Sequence, residues 1–269
     1  MPDKITTRTL RQMKAQGQRI VAITAYDYPS AQLADAAGVD VILVGDSLGN
    51  TVLGYETTLP VRIEAMLHHL SAVRRGVQRA LLVADMPFLS YGVSVEDAVY
   101  NAGTLMQAGA EAVKVEGASP RVLESIRAMV GVGIPVMAHL GLTPQSIHQF
   151  GGYRLQGRSA SEQEILLQAA QAVQEAGAFS LVLEVIPASL AQRITAQVQI
   201  PTIGIGAGVH CDGEIQVWHD LLGLSEQTYK HTKRYAELRE IIQHALRQYA
   251  DEVRQRQFPT PAHSFEVGK

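Results

Sequence analysis

Eight times along 269 residues, a short run of Val, Ile and Leu gives way to a longer segment with helical periodicity. Alternation of this kind predicts βαβ units and a parallel sheet. Strands covered by helices on both faces read as unbroken apolar runs, and these do. The runs fall at 20–25, 41–44, 80–84, 112–115, 135–138, 180–183, 202–205 and 215–218. After the second run, Ile63, Met66, Leu67, Leu70 and Val73 form one helical stripe. Ser94 with Asp97, and Ser161 with Glu164, read as capping boxes before helices that end at Gly109 and Gly177. Pro187 opens a short helix through Ile194. Eight such units in ~250 residues favour a closed (β/α)8 TIM barrel over a doubly wound open sheet. Residues 1–269 then form a single barrel domain with a helical C-terminal extension from about residue 224, helical over 226–254. Two connections, 47–62 and 140–159, are long and glycine-rich, and both follow strand ends, where a lid over the active face belongs.

Charge and composition exclude several classes. The net charge is -3, and the densest basic spot, Arg74, Arg75 and Arg79, reads as a solvated helix terminus, so nucleic acid is not an expected partner. No apolar run approaches the ~20 residues of a membrane span, and residues 1–9 carry no secretory h-region. The single cysteine, Cys211, excludes an intrachain disulfide and suits a reducing cytoplasm.

The informative residues follow the strands. VILVGD ends on Asp46, ALLVAD on Asp85, AVKVE on Glu116 and LVLE on Glu184, while the run at 135–138 is followed by His139. In a barrel those ends meet on one rim, where catalytic residues sit. One Asp after a strand is usually a turn former or helix cap. The same placement on adjacent strands is a different matter, because three unpaired carboxylates would repel one another. A hard cation with oxygen ligands, Mg²⁺ among them, resolves that repulsion. Lys114 lies two residues before Glu116 and points to the same side. It serves either an anionic substrate or an internal ion pair. His139 either donates to a substrate oxygen or is a structural histidine. His68 and His69 fit a helical pattern and read as structural. The glycines of GIGAG, 204–208, lack the full dinucleotide spacing and read as a tight turn. Asp27, His219 and Asp220 also lie near strand ends, with no role evident.

Several motifs together resemble one enzyme family. ITAYD at 23–27, VGDSLG at 44–49, VKVEG at 113–117, HLGLTPQS at 139–146, FGGY at 150–153 and GIGAG at 204–208 resemble ketopantoate hydroxymethyltransferase, also called 3-methyl-2-oxobutanoate hydroxymethyltransferase. The resemblance runs from about residue 5 to HSF at 263–265. It implies a barrel of the phosphoenolpyruvate mutase/isocitrate lyase-like group. The implied reaction moves a hydroxymethyl group from 5,10-methylenetetrahydrofolate to 3-methyl-2-oxobutanoate, giving 2-dehydropantoate for pantothenate synthesis. It also implies Mg²⁺, a cytoplasmic location and a homodecamer. Residue by residue, Asp46 and Asp85 match the direct metal ligands and Glu116 the third metal-associated acid. Asp46, Ser47, Asp85 and Lys114 match substrate contacts, His139 a residue near the substrate, and Glu184 the proton acceptor. One rival reading is another Mg²⁺-dependent 2-oxo acid lyase or mutase of the same barrel group, although Cys211 is misplaced for the loop cysteine such enzymes often carry. A non-catalytic metabolite-binding barrel is the other.

Overall fold

The structure, a computed structural model, describes residues 3–266. Two compact units divide the chain, 1–218 and 219–269.

The first unit opens with α1 (Thr7–Ala15), then alternates strand and helix: β1 (Ile20–Thr24), α2 (Tyr28–Ala36), β2 (Val41–Val44), short α3 (Leu48–Thr51) and α4 (Ile63–Gly76). There follow β3 (Leu81–Asp85), α5 (Val95–Gln107), β4 (Ala112–Glu116), α6 (Pro120–Gly131) and β5 (Val136–Gly141). A 3₁₀ turn (Pro144–Ser146) and short α7 (Ile147–Phe150) precede α8 (Ala160–Glu175), β6 (Ser180–Glu184), α9 (Ala188–Gln197), β7 (Thr202–Ile205) and β8 (Gly213–Gln216). The eight strands pair in sequence order, all parallel, and β8 closes onto β1. The expected closed barrel is therefore observed.

Strand side chains fill the barrel. Val41, Leu43, Leu81, Val83, Ala112, Met137, Val182 and Ile203 form one buried cluster that Ile5 and Leu10 join. The N-terminal segment covers the end from which the strands start. The Ile5 N–H donates to the Arg79 carbonyl at 2.8 Å, Lys4 Nζ to the Ala80 carbonyl at 2.7 Å, and Lys14 pairs with Asp212 at 2.8 Å. Those partners lie within two residues of the starts of β3 and β8, so the opposite, C-terminal rim carries the open face.

Three local expectations need correction. The last strand begins two residues earlier than expected, at Gly213. Its sequence, GEIQ, alternates buried and half-buried, so no apolar run announces it. Gly213 is required there, because a Cβ would lie 2.4 Å from the Ile20 carbonyl oxygen of β1. At α8 the cap is Ser159, not Ser161. SASEQE offers two overlapping boxes, and the structure uses the first. Ser159 Oγ accepts from the Glu162 N–H at 3.2 Å while Glu162 Oε2 accepts from the Ser159 N–H at 3.0 Å. Ser159→Ala should cost about 1 kcal/mol in thermal or denaturant unfolding, and Ser161→Ala much less. At α5, Ser94 caps as expected, accepting from the Asp97 N–H at 3.0 Å.

The second unit holds α11 (Leu238–Arg254), after a short α10 (Trp218–Leu221) that starts at the unit boundary. The expected helix from 226 does not start until Leu238. Residues 225–227 turn their carbonyls to the Arg234 guanidinium instead, at 2.8 to 3.3 Å, and so bypass helical bonding. No residue of α11 is buried. Among the described residues, no helix is long and apolar enough to cross a membrane.

Candidate active site

Parallel register brings the titratable strand ends together. Asp85 of β3 pairs with Lys114 of β4, Glu116 of β4 with His139 of β5, and Gly141 of β5 with Glu184 of β6. Asp46 lies two residues past β2, where its N–H donates to Asp85 Oδ2 at 3.1 Å. Lys114 Nζ sits 2.5 Å from Asp85 Oδ1 and 3.8 Å from Glu116 Oε1. The His139 ring spans two acids, with Nδ1 3.4 Å from Glu116 Oε1 and Nε2 3.3 Å from Glu184 Oε2. Neither contact has hydrogen-bond geometry; Glu116 Oε1 and both ring nitrogens have no hydrogen-bond partner among the described residues. Asp46, Asp85, Lys114, Glu116 and His139 are all buried, whereas the Glu184 side chain keeps 18% of its surface exposed. Ser47 faces the same region, its Oγ 2.8 Å from the Tyr26 hydroxyl.

One backbone feature sets the separation of β5 from β6. Gly141 has φ +98°, and a Cβ there would lie 2.2 Å from the Glu184 carbonyl oxygen. Only glycine allows the chain to pass so closely beside Glu184.

Burial and crowding shift the charges. Burial pushes Asp46 up to about 8, and the nearby Asp85 and Glu116 carboxylates push in the same direction. Burial also raises Asp85, against the pull of Lys114. For Lys114, burial favours the neutral amine but loses to Asp85, Glu116 and Asp46, so the ammonium is held above its ordinary range. His139 is pushed up to about 9: burial and Lys114 oppose its charge, and the Glu116 and Glu184 side chains outweigh them. Glu116 is lowered despite burial, mainly by His139 and then Lys114. The cluster thus has more carboxylates than its two cations neutralise, which disfavours a second negative charge beside Asp85 and raises Asp46.

That deficit is what a cation would fill. Three buried carboxylates, one holding a buried unpartnered oxygen, form a hard donor set suited to Mg²⁺. Among the described residues, no group of three or more His, Cys, Asp or Glu side chains is placed to hold a metal ion by itself. Mg²⁺ ordinarily binds through one or two carboxylates and completes its shell with water and substrate oxygens, so an open set fits it.

A sequence model of the ketopantoate hydroxymethyltransferase family matches residues 4–261. The chain belongs to that family. A 3-methyl-2-oxobutanoate hydroxymethyltransferase of Moorella thermoacetica is 57% identical over 265 residues, 98% of each chain. The Carboxydothermus hydrogenoformans protein of the same name is 53% identical over 267 residues, 98% of this chain and 96% of that one. In fold, this ketopantoate hydroxymethyltransferase family member resembles a phosphonopyruvate hydrolase, with TM-score 0.63, 14% identity and coverage of 97% of this chain and 92% of that one. It also resembles a 2,3-dimethylmalate lyase of the PEP mutase/isocitrate lyase superfamily, with TM-score 0.59, 17% identity and coverage of 97% and 91%. At such identities the likeness shows the barrel alone.

Asp46, Ser47, Asp85, Lys114, Glu116, His139 and Glu184 all lie in this one cluster or against it, whereas His219 and Asp220 fall in α10, where Asp220 accepts from the Ser225 hydroxyl. Asp27 instead caps α2, accepting from the Ser30 N–H at 2.8 Å. His69 is structural, with Nδ1 2.6 Å from the Tyr26 carbonyl. The GIGAG glycines make a turn: Gly206 and Gly208 have φ +65° and +79°, and a Cβ on Gly208 would meet Ala188 at 2.5 Å. Cys211 is buried, and burial raises its thiol. Three neutral residues in contact with the cluster were not legible as site residues: Tyr26, Tyr91 and Gln145. Gln145 lies inside the HLGLTPQS motif, but an amide carries no strand-end charge signal.

Proposed function

We propose that this chain transfers a hydroxymethyl group from 5,10-methylenetetrahydrofolate to 3-methyl-2-oxobutanoate, giving 2-dehydropantoate, with Mg²⁺ bound at Asp46 and Asp85. The observation that carries this reading is the placement of Glu184. It lies across the His139 ring from the buried Asp46, Asp85 and Glu116 set, and it alone among the four acids is partly open.

The two sides have different chemistry. Asp46 and Asp85 would hold the cation, and Glu116 would support it from the next strand. When bound, Mg²⁺ acts as a Lewis acid toward the 2-oxo carboxylate and so acidifies C3. Lys114 neutralises substrate charge, and Ser47, backed by the Tyr26 hydroxyl, orients the carboxylate. Glu184 Oε2 takes the C3 proton as general base, and the electron-rich C3 forms the new C–C bond to the folate's methylene carbon. Both C–N bonds to that carbon break, a water supplies the hydroxyl, and the C3 proton and one water proton leave on the nitrogens of tetrahydrofolate. His139 Nε2 faces Glu184 Oε2 at 3.3 Å and so helps to place it beside the substrate. Burial of the cluster excludes water from the substrate's charged end. The reading extends to a cytoplasmic homo-oligomer, a homodecamer by resemblance.

Asp46 must lose its proton to bind a cation. Its raised value of about 8 therefore predicts that Mg²⁺ affinity falls as pH drops below about 8, by up to about tenfold per pH unit. Calorimetry in buffers of different ionisation heat should show close to one proton released per ion at neutral pH. Turnover assays with keto acid, folate donor and Mg²⁺, each omitted in turn, test the whole reading. Product should require all three. Consumption of a 2-oxo acid without the folate donor would favour a lyase or mutase.

A further inference from the structure

Gln145 sits in the 3₁₀ turn after β5 and is buried. It touches two carboxylates from different strands. Its backbone N–H donates to Glu116 Oε2 at 3.0 Å, and its side-chain Nε2 donates to Asp46 Oδ2 at 2.9 Å. The same Nε2 donates to the Met86 carbonyl at 3.0 Å. Tyr91 fixes which way the amide faces. Its hydroxyl accepts the Glu116 N–H at 3.0 Å, which directs its own proton to Gln145 Oε1 at 2.8 Å rather than to the Glu116 carbonyl at 3.4 Å. With Oε1 taken as an acceptor, only the NH₂ end can face Asp46. Asp46 lies beyond the β2 ladder, so strand pairing does not fix its side chain.

We propose that Gln145, oriented by Tyr91, is a positioning residue that holds Asp46 and Glu116 in the one arrangement able to receive the cation. The proposal rests on the metal reading above. Partners of this kind orient ligands, and removing one typically costs ~10–100-fold in metal affinity. The Gln145 arrangement couples two strands through one residue: losing its amide frees Asp46 while the backbone bond to Glu116 persists.

The test is calorimetric titration of Mg²⁺ into wild type, Gln145→Met, Tyr91→Phe, the double variant and Asp46→Ala, with thermal melts of each. Gln145→Met should weaken Mg²⁺ by ~10–100-fold, and its turnover should recover at saturating Mg²⁺. Tyr91→Phe should shift affinity less, in the same direction. The double variant should lose less affinity than the sum of the two single losses, because Tyr91 acts on Asp46 through the Gln145 amide. A residue that only supports the fold would lower the melting temperature and leave the folded protein's affinity unchanged. Wild-type affinity in folded Gln145→Met, or in Tyr91→Phe should Gln145→Met not fold, overturns the proposal, and so do additive losses. Wild-type affinity in Asp46→Ala as well overturns the metal reading and this proposal with it.

Discussion

Glu184→Gln should abolish exchange of the C3 proton of 3-methyl-2-oxobutanoate into heavy water while the keto acid still binds. A positioned general base typically contributes about 10²–10⁴-fold, and the amide cannot accept this proton, so exchange should fall at least that far. Binding should survive because Glu184 lies across His139 from the groups proposed to hold the substrate, with His139 Nε2 3.3 Å away. Proton NMR of the keto acid in heavy water reads exchange, and calorimetry reads binding. Wild-type exchange in the variant would remove Glu184 from the reaction. Loss of binding together with exchange would make it a substrate contact instead.

Lys114→Met should be the most destabilising change on the rim. Lys114 Nζ is 2.5 Å from Asp85 Oδ1 and 3.8 Å from Glu116 Oε1, and all three groups are buried. Removing one partner of a buried pair costs about 3–5 kcal/mol, because it leaves an uncompensated charge. Methionine keeps most of the volume, so packing contributes little. Adding Mg²⁺ should restore part of the loss, since a cation at the acids replaces the missing charge. Thermal melts with and without Mg²⁺ measure both effects. A melting temperature equal to wild type would mean that the carboxylates do not depend on Lys114.

The barrel and its acidic rim were legible in the sequence for the same reason. Strands buried on both faces leave apolar runs, and the first charged residue after each run marks where the strand leaves the core. Parallel register then places Asp85 beside Lys114 and Glu116 beside His139, so the neighbours follow from strand order. The signal failed where that logic does not apply. β8 is amphipathic, and its pairing depends on a missing side chain at Gly213 rather than on an apolar run. Residues 226–237 are polar enough for helix or turn, and Arg234 decides for the turn by capturing the carbonyls of Ser225 to Gln227. Gln145 and Tyr91 sit on connections, uncharged and outside any period, so only the folded structure connects them to the acids. The motifs, rather than the pattern, separated the proposed base from the proposed ligands.

The division of the four acids into a metal side and a base is open to one direct measurement. Mg²⁺ titrated calorimetrically into Asp46→Ala and Glu184→Gln, side by side with wild type, asks whether the four acids form two groups or one. Asp46→Ala should lose most of its Mg²⁺ affinity, while Glu184→Gln should stay near wild type. Equal losses in both variants would contradict that division, and would make Glu184 part of the metal site.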